Sequence, residues 1–262
     1  MKDELSLLRD IVRAAGQEEL LPRFNQIGFE YKQDGSVLTE ADLAVQARLQ
    51  QTLLEQWPDI AMLGEEMTAQ EQQAVIDTGD AFWCLDPLDG TSNFAAGIPF
   101  YSVSLALIRD GQPQMAIVYD PDRDECFSAQ AGVGAWLNDL RLDCSSLPQR
   151  PLSRCSALLD FKRLSPELAN RIARQPPYAS QRSFGSVALD WCWLATGRCQ
   201  VYLHGKQKLW DYAAGWLVLH EAGGRSRTLD GEEGFNATLT PRSTVAASTP
   251  ALWSEWFKWL QG

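Results

Sequence analysis

Residues 83–94 read WCLDPLDGTSNF. Two acids, Asp86 and Asp89, interrupt an apolar run, with Pro87 between them and Gly90 behind them. Proline removes a backbone donor and locks φ, and glycine permits a left-handed turn, so the backbone around the acids is set locally. The residues before Asp86 read as a core strand, and those after Gly90 as the start of a helix. A chain with this segment has to accommodate two carboxylates where a buried strand ends. If they converge, their repulsion is of order 4 kcal/mol at about 4 Å and an effective dielectric near ~20. Such a pair needs divalent cations or protons.

Two further acidic sites share this placement at the edge of an apolar run: Glu65-Glu66 in MLGEEM and Asp211 in LWDYAAG. Strands and helices hand side chains to a shared cleft at such positions. Taken singly, Asp211 could be a helix N-cap and Glu65-Glu66 a polar loop. Taken together, hard oxygen ligands in a chain with only two histidines favour Mg²⁺ or Mn²⁺ over zinc. Gly90 and Thr91 bring backbone N–H groups to the expected helix start, a place suited to a phosphate oxygen. The formal net charge is -11, from 34 acidic residues against 23 Lys and Arg. That balance disfavours a nucleic-acid partner, and it repels a small phosphorylated substrate unless cations intervene.

With 262 residues, 45% of them hydrophobic, the chain can bury a large core in one domain or two packed halves. The N-terminal MKDELSLLRDIVRAAG is amphipathic and reads as a helix over 3–20, neither a signal peptide nor a membrane span. Residues 27–38 read as a short strand pair or loop turning at Asp34-Gly35. Thr39 caps a helix over 40–56 that Pro58 ends. YSVSLALI and QMAIVYD form a hairpin across RDGQP, and AGVGAWLND continues the strands. An irregular stretch with Pro148 and Pro151 marks a boundary between an N-terminal α+β domain, 1–145, and a C-terminal α/β domain, 146–262. Beyond it CSALLD reads as a strand and SPELANRIARQ as a helix. SVALDWCWLATGR is then a helix, CQVYLH a strand, and WDYAAGWLVLHEAGG a helix closed by Gly223-Gly224. The six cysteines form no C-x-x-C pair, which reads as reduced thiols in a cytoplasmic protein. LWSEWFKWL spaces Trp253, Trp256, Phe257 and Leu260 helically. We expect a helix docked on the second domain, since its thin polar face argues against a membrane surface.

DPLDGTSNF, with GEE upstream and WDYAAG…EAGG downstream, resembles the inositol monophosphatase family of Mg²⁺-dependent, lithium-sensitive phosphatases. DGSVLTEAD, GVGAWLN and SFGSVALD match weaker motifs of the same family, so the resemblance runs from about residue 30 to 248. It implies an α+β fold, a layered α-β-α-β-α sandwich of the inositol monophosphatase and fructose-1,6-bisphosphatase type, often a homodimer. It implies two to three Mg²⁺ per site. Glu65, Asp86 and the Leu88 carbonyl would hold one ion, Asp86, Asp89 and Asp211 a second, and a looser third would sit near Glu65. The implied chemistry is in-line attack on phosphorus by a metal-activated water, with Thr91, linked to Asp42, orienting and deprotonating it beside Glu65. Gly90, Thr91, Gly185, Ser186, His204 and Asp211 are the implied substrate contacts, with backbone groups acting at 185 and 186.

One departure concerns the alcohol. The family's inositol-binding glutamate lies seven residues before the metal-binding Asp of the W-D motif, and here that position is His204. A neutral His accepts one hydrogen bond there and a protonated one none. Residue 204 could equally be a surface loop side chain. Lys206 and Lys208 read as a solvated face, or as partners for a second phosphate or carboxylate. Asp190, beside Trp191 and Trp193, stays open, a buried hydrogen-bonded acid at a dimer interface being one option. The default expectation is a phosphomonoesterase for a small polyol or sugar phosphate, inositol monophosphate first. The alternatives are 3′-phosphoadenosine 5′-phosphate, fructose 1,6-bisphosphate or histidinol phosphate. A regulatory or RNA-machinery binding protein is the reading from another class.

Overall fold

The apolar periodicities resolve into helices and sheets stacked in five layers. The computed structural model describes residues 4–26, 29–31 and 37–262. Helix α1 (Glu4–Ala15) continues into a π-helical turn, Gly16–Leu20. The expected helix over 3–20 therefore changes type at Gly16, where a Cβ would stand 2.6 Å from the Tyr119 ring. Strands β1 (Phe29–Tyr31) and β2 (Val37–Thr39) pair antiparallel, and the expected turn at Asp34-Gly35 lies outside the described residues. Helix α2 (Glu40–Gln56) starts at the Thr39 cap and stops before Pro58.

Seven strands make the first sheet in chain order: β3 (Ala61–Gly64), β4 (Phe82–Asp89), β5 (Ser102–Arg109), β6 (Gln112–Asp120), β7 (Glu125–Gln130), β8 (Gly134–Leu137) and β9 (Leu140–Leu142). β3 and β4 run parallel, joined through α3 (Ala69–Asp77), and the remaining neighbours are antiparallel. A short helix, α4 (Thr91–Ala95), follows β4. The β5–β6 hairpin turns on Asp110 and Gly111, at φ 52° and 68°, the positive values a tight hairpin requires. The second sheet contains β10 (Ser156–Asp160), β11 (Ser180–Arg182), β12 (Val201–Gln207), β13 (Arg225–Arg227) and β14 (Arg242–Ala247), in the order β11-β10-β12-β14-β13. Its helices are α5 (Pro166–Arg174), α6 (Val187–Ala195), α7 (Leu209–Glu221) and α8 (Pro250–Gln261).

Alternation along the strands explains the layering. Trp83 and Leu85 face α1 and α2, packing with Leu8, Leu49 and Leu53. Cys84, Ala106 and Val118 point the other way, into a core with α6 and α7. That core also takes Leu158, Tyr202 and Ala246 from the second sheet. On that sheet's outer face, Leu159, Leu203 and Val245 pack with Ile172 of α5 and with Leu252, Trp256 and Leu260 of α8. The order is α-β-α-β-α, and α6 and α7, nearly all apolar, are the shared middle layer. The switch between sheets falls after β9, and the six cysteines are buried free thiols. Among the described residues no helix is long and apolar enough to cross a membrane.

Candidate active site

β4 carries an irregularity that decides its chemistry. Its pairing with β5 holds at Asp86 opposite Ser104 and resumes at Asp89 opposite Ser102, so β4 advances one residue more than its partner. In a regular strand, residues three apart point to opposite faces. The bulge cancels that alternation, and both carboxylates line one cavity. Pro87 sits in the interruption, where no ladder donor is needed. The Leu88 N–H donates to Asp86 Oδ1 at 3.1 Å. Gly90 then turns the chain at φ 98°. A Cβ there would meet the Phe100 carbonyl at 3.0 Å and the Gly185 carbonyl at 3.3 Å, so the tight approach of three segments needs glycine.

The remaining acids arrive from other elements. The Glu65 N–H donates to the Leu85 carbonyl at 3.1 Å and extends the β3–β4 pairing by one residue. Its carboxylate lies 3.9 Å from Lys208 Nζ. Asp211 sits in the first turn of α7 and accepts the Lys208 N–H at 2.8 Å. Asp89 is held by the start of α6: Ser186 Oγ and the Ala188 N–H donate to Oδ2 at 2.5 and 2.7 Å, and the Val187 N–H to Oδ1 at 3.1 Å. The Ser186 hydroxyl therefore positions Asp89, and Gly185 and Ser186 both line the cavity. Thr91 Oγ1 lies 2.9 Å from the Leu88 carbonyl and 3.3 Å from Asp42 Oδ1. Asp42 Oδ2 accepts both the Thr39 N–H and its hydroxyl, at 2.7 and 2.6 Å, so the cap of α2 also fixes Asp42.

Burial and mutual repulsion dominate the electrostatics. Burial, then Glu65, Asp89 and Asp211, push the Asp86 carboxyl well above its ordinary range. Burial, then Asp89 and Glu65, raise Asp211 to about 8. Burial raises Asp89 to about 6 against the opposing bonds from Ser186, Ala188 and Val187. Asp42 also rises to about 6, from burial and nearby Glu66 and Glu65, opposed by Thr39. Among the described residues no three His, Cys, Asp or Glu side chains stand as a ready-made cation cage. The donor set nevertheless suits a hard dication: Glu65, Asp86, Leu88, Asp89 and Asp211 line one cavity, and the raised carboxyls record burial and, after it, repulsion that such an ion relieves.

The cavity, ≈ 190 Å³, is also lined by Gly90, Thr91, Gly185, Ser186 and His204. Asp42 alone among the expected site residues stands behind the lining, in contact through Thr91. His204 is not a loop side chain but a buried residue of β12, 3% exposed. Its Nε2 lies 3.0 Å from Asp160 Oδ2 and its Nδ1 accepts the Lys206 N–H at 3.2 Å. An accepting Nδ1 carries no proton, and burial lowers the imidazole pKa against the pull of Asp160, so the ring is neutral. Both nitrogens are spent within the protein, which corrects the expectation that His204 accepts a substrate hydroxyl. Lys206 is exposed outside the cavity lining, and Lys208, its side chain 41% exposed, lies 3.9 Å from Glu65 Oε1. Asp190 lines the cavity and its Oδ1 has no hydrogen-bond partner, unlike the hydrogen-bonded acid weighed from sequence. Asp160 and Arg163, which the sequence reading does not single out, also line the cavity. The signal is present in CSALLD, an acid ending an apolar run as in DPLDG.

A sequence model described as the inositol monophosphatase family matches residues 3–260. A Nus factor SuhB of Pasteurella multocida is 35% identical over 222 residues, 83% of this chain and 80% of that protein. An inositol monophosphatase of Mesembryanthemum crystallinum is 31% identical over 259 residues, covering 96% of this chain and 93% of that one. Among solved structures, an IMPase of Thermotoga maritima superposes with a TM-score of 0.84 at 25% identity, over 99% of this chain and 97% of that one. The match spans the bulged strand, the α6 and α7 starts that hold Asp89 and Asp211, and both sheets: this chain belongs to the inositol monophosphatase family.

Proposed function

We propose that the protein is a Mg²⁺-dependent phosphomonoesterase for a small polyol or sugar phosphate, with inositol monophosphate as the default substrate. The observation that carries this reading is the bulge that turns Asp86 and Asp89 into one cavity with Glu65 and Asp211. Glu65, Asp86 and the Leu88 carbonyl would hold one cation, and Asp86, Asp89 and Asp211 another. When bound, the cations neutralise charge at the phosphoryl group and acidify water. The N–H groups of Gly90 and Thr91 would hold a phosphate oxygen opposite the acids. Thr91 orients the attacking water through Oγ1. As it accepts that proton it passes its own to Asp42, whose pKa near 6 suits a base at neutral pH. Glu65 stands on the same side as a further acceptor. The same reading makes the protein a cytoplasmic homodimer.

The test is phosphate release from purified protein across a panel of phosphomonoesters, with and without Mg²⁺. We expect Mg²⁺-dependent turnover, inhibited by lithium, and a loss of at least about a hundredfold in kcat for Asp89→Asn. No Mg²⁺-dependent turnover, or full activity in that variant, would overturn the reading. The name of the Pasteurella relative, Nus factor SuhB, keeps one rival in view. A stable partner from the transcription machinery combined with negligible turnover would favour a regulatory role instead.

A further inference from the structure

The cavity has a second group of lining residues that these roles leave unused: Leu159, Asp160, Arg163, Asp190 and His204. Its frame is built by strand register. β10 and β12 pair in parallel with Asp160 opposite His204. Gly205 lets the backbone at Arg163 lie against β12, since a Cβ there would fall 1.7 Å from the Arg163 carbonyl oxygen. Asp160 Oδ2 accepts from His204 Nε2 and Arg163 Nη1, and Oδ1 accepts the Lys162 N–H at 2.9 Å. Burial works to raise this carboxyl, but His204 and Arg163 outweigh it and hold it well below the usual range. An ionised carboxylate has about four acceptor positions, so one remains on Oδ1. Arg163 gives Asp160 a bond from Nη1 of its guanidinium.

Asp190 faces the same cavity from α6 in a different condition. It is 7% exposed, and its Oδ1 is buried with no hydrogen-bond partner. Burial first, then the nearby Asp89 and Asp160, push its carboxyl well above the usual range. A buried carboxyl without a partner is costly and rare in a finished core. It is accounted for if a ligand brings the partner.

We propose that Asp190 and Asp160 recognise the alcohol half of the substrate, and that this alcohol presents hydrogen-bond donors, hydroxyl or ammonium, rather than a second phosphate or carboxylate. The proposal rests on the phosphomonoesterase reading. The ionised Asp160 and the carbonyl oxygen of Asp190 accept from donors, whereas a second anion would meet the charge of Asp160. The position vacated by the family's glutamate is thereby filled from two other elements, with His204 orienting Asp160 instead of touching substrate.

The experiment uses the Mg²⁺-loaded full chain with Asp190→Leu, near-isosteric and apolar, and Asp190→Asn, which keeps an acceptor without charge. The readout is kcat/KM for inositol 1-phosphate and for 2-aminoethyl phosphate, each divided by that for phenyl phosphate, whose leaving group carries no donor. The proposal expects Asp190→Leu to lower at least one ratio about tenfold or more. If hydroxyls are read, Asp190→Asn keeps the inositol ratio within about threefold of wild type. If an ammonium is read, Asp190→Asn lowers the aminoethyl ratio about tenfold. Both ratios within about twofold of wild type in Asp190→Leu would overturn the proposal. Faster wild-type turnover of fructose 1,6-bisphosphate than of either monoester would overturn it as well. No turnover of any ester by wild type would instead defeat the phosphatase reading. Calorimetric binding of inositol 1-phosphate to wild type and Asp190→Leu then decides: weaker binding to the variant supports the subsite and equal binding overturns it.

Discussion

Thr91 holds one hydroxyl proton between two acceptors, the Leu88 carbonyl and Asp42 Oδ1. Thr91→Val removes the hydroxyl at constant shape and leaves the backbone N–H in place. On the proposed function, kcat should fall about a hundredfold with little change in KM, and Thr91→Ser should restore most of it. Steady-state kinetics on the best substrate of the panel checks this, and an unchanged kcat in Thr91→Val would remove Thr91 from the water-orienting role. At this scale the residue types were readable because the acids of the three motifs stand where apolar runs end or begin. His204 was not. Whether a histidine accepts, donates or does neither depends on what lies opposite, and Asp160 lies opposite only because β10 and β12 pair in that register.

Elements were legible where their signals are local. The Thr39 cap, the hairpin across RDGQP and the helix in SPELANRIARQ all stand where the sequence puts them. One miss has a tertiary cause. The strand expected in CQVYLH ends at His204, whereas β12 runs on to Gln207 because β14 pairs with it as far as Gln207 opposite Arg242. α8 shows how a helix is held by what it covers. Trp256 is fully buried, packs edge-on to Tyr178 and donates from Nε1 to the Tyr202 carbonyl at 3.1 Å. Trp256→Ala should cost about 3–5 kcal/mol, from the cavity and the carbonyl left unpaired. Urea denaturation measures it; a loss below about 1 kcal/mol would mean that α8 is not docked as described.

At the scale of the molecule, four acids from three segments, the end of β3, β4 and α7, press like charges into one cleft. In a chelator, Asp86, Asp89 and Asp211 keep protons in the folded state at pH values where the unfolded chain has lost them. Folded pKa values above the unfolded ones mean that stability falls as pH rises from about 4 toward about 8. Thermal melts in EDTA should therefore show a lower Tm at pH 8 than at pH 5.5. Added Mg²⁺ should raise Tm more at pH 8, since a dication binds the deprotonated acids. A Tm in EDTA that climbs from pH 5.5 to 8, with no Mg²⁺ effect at either pH, would contradict a buried cation-binding cluster.

By itself the sequence determined the strand-ending acids, the Pro-Gly punctuation that distorts β4, and so the class of chemistry, because these depend on residue type and near neighbours. The tertiary structure alone decided that Asp89 is gripped by the start of α6, that His204 is spent on Asp160, and that Asp190 faces the cavity without a partner. Those facts depend on the register and packing of segments far apart in the chain, and spacing along one segment carries no information about what will lie opposite it.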